Sequence, residues 1–318
     1  MRRIYFLFIA LFITGSILAG CQTTANIPDE AEKDKTVENA DFPVTITDGL
    51  DQKVTIEEKP EKIVSLIPSN TEISYALGLE EEIVGVSDFD NYPENVSEKE
   101  KIGGIDFNVE KIISLEPDLV LAHASTAANK KSSLQQLEDA GSQILIVNDA
   151  QSFTEVYDSI EMIGKATGTE KKANKIIEEM KNKLADIEKR AEDVKEKKAV
   201  YVELSAEPEI YTAGKGTFID EMLKIIDAEN VAKEEEGWAK ISEEAVIAFN
   251  PDVIITTYWH EEGASKQVCK RKSWQDIKAI NEKQVFDLDE DLVSRSGPRL
   301  VEGVEELAKV IYPDVFAQ

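Results

Sequence analysis

Hydrophobic and polar positions follow the same order in two separate segments of the chain. Residues 109–121 read VEKIISLEPDLVL and residues 243–255 read EEAVIAFNPDVII, so apolar positions coincide at an offset of 134 residues, counted from 109 to 243. Glu110 and Glu244 then occupy the same position, each seven residues before a proline. This duplicated unit predicts two similar α/β lobes rather than one continuous domain. Matched surface carboxylates on two lobes favour a binding protein that docks on a two-fold partner.

Strands and helices alternate within each predicted lobe. Short apolar runs predict strands, and helical patterns of apolar residues lie between them. The predicted strands are KIVSL (62–66), IVGV (83–86), DLVLA (118–122), QILIV (143–147), AVYVEL (199–204), DVIIT (252–256) and QVFDL (284–288). This alternation favours mostly parallel sheets covered by helices on both faces. We expect Ser69, Asn70 or Thr71 to cap the helix that follows the first strand.

A long amphipathic segment connects the two lobes. Between residues 169 and 196 the apolar positions recur at helical spacing, with no glycine or proline to interrupt them. This is the pattern of one continuous helix with a single apolar face. We predict that it lies across both lobes as a rigid connector. The last helix is predicted to begin near Pro298 and to stop before Pro313.

The first residues of the chain are typical of an exported protein. Arg2 and Arg3 precede an apolar run that is too short and too early for a dependable membrane span, as in a secretory signal. The run ends in LAGC, which resembles the lipobox of bacterial lipoproteins and implies acylation of Cys21. The alternative is an ordinary cleaved signal with an incidental cysteine. Residues 22–41 contain almost no large apolar side chain, which predicts a disordered tether.

These patterns divide the chain into segments of different kinds. At roughly 100–200 residues per domain, the length that follows the tether favours two domains over one. The predicted segments are a lipoprotein signal peptide at 1–20, a lipidated cysteine with its tether at 21–41, a first α/β lobe at 42–168, an interlobe helix at 169–196 and a second α/β lobe at 197–318.

The charge and the few reactive residues argue against several classes of function. The formal net charge is −27 at pH 7, which disfavours nucleic acid or an anionic lipid surface as the partner. Cys269 is the only cysteine after Cys21, so no disulfide framework is predicted. The only histidines are His123 and His260, and neither has a second ligand at metal-site spacing. The chain has no HExxH, CxxC or GxSxG motif, and we expect neither catalysis nor a cofactor.

Aromatic and polar residues follow several of the predicted strands. Ligands bind at the carboxyl ends of the strands in open α/β sheets, so we expect these residues to line a cleft between the lobes. Flat apolar faces with a few polar anchors are typical of a small-molecule site. The candidates are Phe89, His123, Tyr211, Trp238, Trp259, Asp291 and Arg295. Trp238 is predicted to lie in the loop before the helix that carries Glu244.

The body of the chain resembles the substrate-binding proteins of ABC importers for cobalamin and iron chelates. The resemblance covers nearly all of residues 42–318. It rests on the segments KIVSLIPSNTEISYALG, VGVSDFDNYP, NVEKIISLEPDLVLA, TAGKGTFIDEML, ISEEAVIAFNPDVII and SRSGPRL. Within this class the chain is most similar to the vitamin B12-binding proteins, through SNTE with its downstream YP and through DLVSRSGPRL. The resemblance implies an α/β fold with two Rossmann-like lobes whose parallel-type sheets are joined by one long α-helix.

The resemblance also implies roles for individual residues. Glu110 and Glu244 match the glutamates that pair with arginines of the two permease subunits in this class. The positions that contact the corrinoid in this class correspond to Phe89, Tyr211, Trp238, Asp291 and Arg295. The chain departs from the pattern at two of the candidate positions, where phenylalanine stands for tyrosine at 89 and histidine for tryptophan at 123. A tryptophan is also missing shortly before Glu110, where the chain reads GGIDF.

Together these features predict a lipid-anchored receptor on the extracytoplasmic face of a Gram-positive cell membrane. It is expected to act as a monomer, to capture cobalamin and to deliver it to an ABC permease dimer with its ATPase subunits. The alternative cargo is a ferric siderophore or haem, for which His123 or Tyr211 is a possible iron ligand and Arg295 or Lys215 a possible anion partner. A metal-cluster oxidoreductase on a related scaffold is a third reading, but the mature chain lacks the cysteine ligands for a cluster.

Overall fold

Three β-sheets organise the described part of the chain, which in this computed structural model is residues 42–259 and 263–316. The predicted signal, Cys21 and the tether lie outside the described residues, as does His260. The strands are β1 (Val44–Thr47), β2 (Lys53–Ile56), β3 (Ile63–Ser65), β4 (Ile83–Val86), β5 (Glu100–Lys101), β6 (Leu119–His123), β7 (Gln143–Val147), β8 (Ala199–Ser205), β9 (Tyr211–Ala213), β10 (Glu229–Asn230), β11 (Trp238–Lys240), β12 (Val253–Thr256) and β13 (Val285–Asp287).

Helices lie between most of these strands, as the alternating pattern predicts. Two short 3₁₀ turns at Glu94–Glu98 and Lys272–Trp274 add to them. The α-helices are α1 (Pro68–Ala76), α2 (Val109–Leu115), α3 (Ala124–Ala127), α4 (Lys131–Asp139), α5 (Phe153–Thr167), α6 (Glu170–Ala191), α7 (Phe218–Ile225), α8 (Glu243–Phe249), α9 (Ala264–Lys270), α10 (Lys278–Asn281), α11 (Glu290–Ser294), α12 (Leu300–Ile311) and α13 (Pro313–Phe316). Among the described residues, none of these helices combines the length and the apolar character that a bilayer span requires.

The sheet of the first lobe is parallel throughout. Its order is β5-β4-β3-β6-β7, with Ile63 opposite Leu119 and Leu119 opposite Gln143 in the register of the three central strands. All residues of β3 and β6 are buried because helices cover both faces of the sheet. The antiparallel hairpin β1–β2 packs beside α5 and β7.

The second lobe has a mixed sheet of order β11-β9-β8-β12-β13, with β10 beside β8. Its strands β8, β10, β12 and β13 are parallel, whereas β9 and β11 are antiparallel and form one edge. The two edge strands have three residues each and are too short to give a clear sequence pattern. Trp238 is the first residue of β11, so its predicted position in a loop is wrong.

The predicted interlobe helix is present as α6, which has 22 residues and a length of about 33 Å. It ends at Ala191 rather than at residue 196. The helix contacts α5 of the first lobe and α7, α12 and α13 of the second lobe, so it lies across both. Its buried residues follow the predicted apolar stripe and are Ala173, Ile177, Met180, Ile187 and Ala191.

Helix α1 begins earlier than its predicted caps. It starts at Pro68, and the preceding Ile67 makes no capping hydrogen bond through its side chain. Proline is well suited to the first position of a helix, because an N–H there would have no partner within the helix. The prediction of Ser69, Asn70 or Thr71 as the cap is therefore wrong. The amide of Asn70 instead donates to the backbone oxygen of Ala122 at 2.9 Å and ties α1 to β6.

The duplicated unit of the sequence is also a duplicated unit of structure. Helices α2 and α8 have seven residues each and begin after a side-chain cap, provided by Asn108 in one and Ser242 in the other. Each ends at a residue in the left-handed conformation, Glu116 (φ 52°) and Asn250 (φ 45°). The helix that carries Glu110 and the helix that carries Glu244 are thus built in the same way.

Candidate functional site

A cleft of about 420 Å³ lies between the two lobes, at the carboxyl ends of strands from both sheets. Open α/β sheets bind their ligands at this edge. The first lobe contributes residues at or just after the ends of β3, β6 and β7, and the second lobe contributes residues at or just after the ends of β8, β12 and β13. The lining residues are Ile67, Pro68, Ser69, His123, Ser125, Asp149, Ala150, Gln151, Leu204, Phe218, Trp238, Thr257, Glu290, Ser294, Arg295 and Ser296.

The lining of this cleft is rich in hydroxyl groups and poor in positive charge. Five serine or threonine residues face it, together with the amide of Gln151 and the carboxylates of Asp149 and Glu290. Among the described residues of the lining, Arg295 is the only lysine or arginine. Such a surface hydrogen-bonds neutral polar groups and offers little to a strongly anionic molecule.

His123 is the last residue of β6 and lies at the wall of the cleft, where only 6% of it is exposed. Its Nδ1 is 2.8 Å from the hydroxyl of Ser125 and also accepts from the backbone N–H of that serine, which caps α3. Burial lowers the pKa of His123 below its usual value, although the charge of Asp149 opposes this effect. The imidazole is therefore neutral near pH 7, and its Nδ1 is engaged within the protein.

Trp238 forms a contact across the cleft. Its indole Nε1 donates to Oε1 of Gln151 at 3.0 Å, which joins β11 of the second lobe to the segment after β7 of the first. The ring packs edge-to-face with Phe218, with ring centroids 5.2 Å apart. The side chain lines the cleft and remains 39% exposed, so part of a rigid aromatic ring is accessible there.

Arg295 and Asp291 belong to a polar network that joins the two lobes. The guanidinium of Arg295 donates to Glu72 Oε1 at 2.9 Å and to Asn91 Oδ1 at 2.6 Å, and it lies 2.7 Å from Asp291 Oδ1. Arg299 makes two further hydrogen bonds to Glu72, of 2.8 Å and 2.6 Å. We call these five residues the interlobe network.

Glu72 is the centre of the interlobe network, and it was not among the site residues predicted from the sequence. The carboxylate belongs to a residue that is only 3% exposed, so its charge is balanced mainly by the two arginines. As a result, little of the positive charge of Arg295 is available to a ligand. Glu72 and Arg299 lie in the SNTE and SRSGPRL segments that carry the family resemblance, which is the sequence signal that could have identified them.

The remaining aromatic candidates lie outside the lining of this cleft. Phe89 follows β4, is 55% exposed and lies against Gly104, while Trp259 follows β12 and is 83% exposed. Tyr211 is half-buried at the start of β9, opposite Lys240 of the edge strand. The structure thus brings His123, Trp238 and Arg295 together at the cleft, while the other four candidates do not line it.

A larger groove of about 870 Å³ lies at the opposite end of the second sheet. It is lined by residues that precede β8, β12 and β13, namely Lys198, Asp252 and Gln284, and by the end of α6. This amino-terminal edge is not where open α/β sheets bind ligands, so we favour the smaller cleft as the site. Among the described residues, no cluster of three metal-binding side chains is present.

Glu110 and Glu244 lie on the surface in the first turns of α2 and α8. Among the described residues neither carboxylate takes part in an ion pair or a side-chain hydrogen bond. Both are therefore available to an external partner.

Comparison with known proteins agrees with this arrangement. The periplasmic binding protein family matches residues 63–292 of the chain. An uncharacterized ABC transporter substrate-binding lipoprotein of Bacillus subtilis, YvrC, is 51% identical over 97% of this chain and 97% of its own. A vitamin B12-binding protein of Vibrio cholerae is 30% identical over 78% of this chain and 87% of its own.

Solved structures give the same fold with different cargoes. A possible iron-binding protein of Staphylococcus epidermidis superposes with a TM-score of 0.73 at 40% identity, covering 80% of this chain and 100% of the other. The heme-binding protein RhuT of Roseiflexus has a TM-score of 0.71 at 27% identity, covering 80% of this chain and 99% of the other. The two-lobed α/β fold and the resemblance found in the sequence are confirmed. The chain belongs to the periplasmic binding protein family, whose relatives here are substrate-binding proteins of ABC transporters rather than enzymes.

Proposed function

We propose that this protein is the lipid-anchored receptor of an ABC importer and that its cargo is cobalamin. The observation that carries the proposal is the interlobe cleft, whose lining offers hydroxyl and amide groups, a partly exposed tryptophan and an arginine already paired with acidic partners. The periphery of a corrinoid carries neutral amide groups around a flat ring system. Hydroxyl and amide side chains hydrogen-bond such groups, and Trp238 provides a surface for stacking.

Cobalamin is larger than a cavity of 420 Å³, so part of it has to lie beyond the described lining. We assign Phe89, Tyr211 and Trp259 to contacts with that outer part, since Phe89 and Trp259 are exposed aromatics that follow strands β4 and β12. His123 and Asp291 complete the proposed set, His123 as a neutral hydrogen-bonding group and Asp291 as a group that fixes Arg295. A vitamin B12-binding relative at 30% identity supports the same cargo.

An iron chelate or haem is the second candidate, favoured by the possible iron-binding protein and the heme-binding protein of similar structure and by His123 at the cleft wall. The charges favour cobalamin over a ferric catecholate, which is anionic. Arg295 is paired with Glu72 and Asp291, and Lys215 lies 3.4 Å from Glu236, so both basic candidates already have acidic partners.

The proposed partner is a permease dimer with its ATPase subunits, contacted through Glu110 and Glu244. Ion pairs at the rim of an interface contribute little affinity, but they set its register and its rate of formation. The LAGC segment and the lipoprotein relative support processing at Cys21, with residues 1–20 as the signal and 21–41 as the tether. The protein would then lie on the outer face of a cell membrane as a monomer, with lobes at 42–168 and 197–318 joined by the helix at 169–196.

Calorimetric titration with cyanocobalamin tests the cargo. The chain from residue 22 onward is titrated in parallel with cyanocobalamin, haemin and a ferric catecholate. We expect one-to-one binding of cyanocobalamin below micromolar concentration and weaker binding of the other two. Absence of both heat and a thermal shift with cyanocobalamin, together with tight binding of haemin or the ferric catecholate, would overturn the cobalamin assignment and leave the receptor assignment in place.

A further inference from the structure

Each of the two duplicated helices exposes an isoleucine beside its glutamate. Ile113 follows Glu110 by three residues and Ile247 follows Glu244 by three, which places each pair on one helix face. Both isoleucines are 38% exposed. The residues just before them, Ile112 and Val246, are the buried residues of α2 and α8 and hold the helices on the sheets.

This exposure is duplicated, which distinguishes it from an ordinary surface apolar residue. Single exposed apolar side chains are common on soluble proteins and need no explanation. Here the same residue type is exposed to the same extent at equivalent positions of both lobes. The next residue on each exposed face is small, Ser114 in one helix and Ala248 in the other, so neither isoleucine is shielded by a bulky neighbour there.

We propose that these residues form two docking patches, Glu110–Ile113–Ser114 and Glu244–Ile247–Ala248, that bind equivalent sites on a two-fold permease dimer. The proposal rests on the proposed function and assigns a role to residues that it leaves unexplained. Each permease subunit would present an apolar pocket about one helical turn, roughly 5.4 Å, from a basic side chain. A symmetric dimer presents one surface twice, which is what two like patches on one chain require.

The isoleucines contribute binding affinity that the glutamates do not. An exposed ion pair is worth little because water competes for both charges. An apolar side chain that leaves water in a desolvated pocket contributes more, and it slows dissociation rather than association. The glutamates therefore select the partner and its orientation, while the isoleucines hold the complex together. Loss of one isoleucine contact is expected to weaken docking about tenfold.

The test uses the full chain in its source organism, with the native gene deleted and replaced by variants. Ile113→Ser with Ile247→Ser is expected to lower uptake of radiolabelled cyanocobalamin at least tenfold, with calorimetric affinity for cyanocobalamin unchanged. The matched control is Ile113→Leu with Ile247→Leu, which keeps the apolar surface and is expected to retain uptake. Wild-type uptake in the serine variant, at equal protein level, would overturn the proposal.

A second readout separates this proposal from the choice of cargo. A photo-crosslinking side chain is placed at position 113, at 247 or, as a control, at exposed Ala185 on α6. Adducts with the same permease from 113 and 247, but not from 185, support the docking patches even when the protein does not take up cyanocobalamin. Permease adducts from 185 alone, or from none of the three positions, would reject the patches.

Discussion

At the scale of single residues, the buried carboxylate of Glu72 links charges of the two lobes. It is buried in the first lobe, and both arginines that neutralise it come from the second lobe, 223 and 227 residues away in the sequence. Arg299 is further held by the ring of Tyr92, 3.9 Å from the guanidinium carbon. A buried carboxylate with these partners fixes where Arg295 lies at the cleft.

Replacement of Glu72 by glutamine should therefore destabilise the protein. The variant keeps the shape of the side chain but removes the negative charge that pairs with the poorly exposed guanidinium groups of Arg295 and Arg299. Loss of this charge lowers the free energy of unfolding by about 3 kcal/mol. For a chain of this size the melting temperature is expected to fall by about 6–12 °C. The melting temperature is measured by circular dichroism during thermal unfolding. Glu81→Gln serves as the control, because Glu81 is exposed. Equal melting temperatures for the Glu72 and Glu81 variants would mean that the network contributes no net stability.

At the scale of elements, the close packing of α5 against α6 couples the connector to the first lobe. A Cβ placed on Gly164 of α5 would lie 2.6 Å from the Cβ of Ala173 on α6. Real side-chain carbons do not approach so closely, so the two helices are in contact there only because residue 164 is glycine. The long helix is thus fixed to the first lobe along part of its length.

Gly164→Val is expected to force the two helices apart. Overpacking of this kind costs about 1–3 kcal/mol, which exceeds the helix propensity of about 0.4 kcal/mol that valine gains over glycine. The loss of stability is measured as the difference in the free energy of unfolding in urea between the variant and the wild-type protein. Ala185→Val on the exposed face of α6 serves as the control and is expected to cost less than about 1 kcal/mol. A Gly164→Val variant as stable as this control would contradict the packing argument.

Elements with a strong hydrophobic period were predictable from the sequence, and contacts between distant residues were not. The central strands and α6 follow from apolar runs and a helical stripe, so their prediction needed only neighbouring positions. The edge strands β9 and β11 have three residues each and were missed, which left Trp238 in a predicted loop. The site candidates His123, Trp238 and Arg295 do meet at the cleft, but the partner of Arg295 depends on how two lobes pack and no local pattern encodes it.

At the scale of the whole molecule, several separate contacts join the two lobes. Helix α6 lies across both, the interlobe network pairs charges between them, and Trp238 with Gln151 spans the cleft. The backbone N–H of Phe153 in the first lobe also donates to Glu221 Oε2 of the second at 2.9 Å. A single crossing would leave the lobes free to rotate about it, whereas several separate connections resist rotation about any one of them. Ligand capture should therefore proceed with little movement of the lobes.

Small-angle X-ray scattering with and without saturating cyanocobalamin measures this movement. We expect almost the same radius of gyration in both states, because α6 and the interlobe network remain in place. Glu72→Gln weakens one of the connections, so this variant is expected to show the larger change on ligand addition. A clear compaction of the wild-type protein would refute the rigid arrangement.

The hydrogen bond from Trp238 to Gln151 makes the cleft selective for polar ligands. These two polar groups satisfy each other, so any molecule that separates them has to offer an acceptor to the indole and a donor to the amide oxygen. A purely apolar compound of suitable shape would leave both groups unpaired and would lose binding free energy for each. Discrimination then comes from the penalty on the wrong molecule as much as from contacts with the right one.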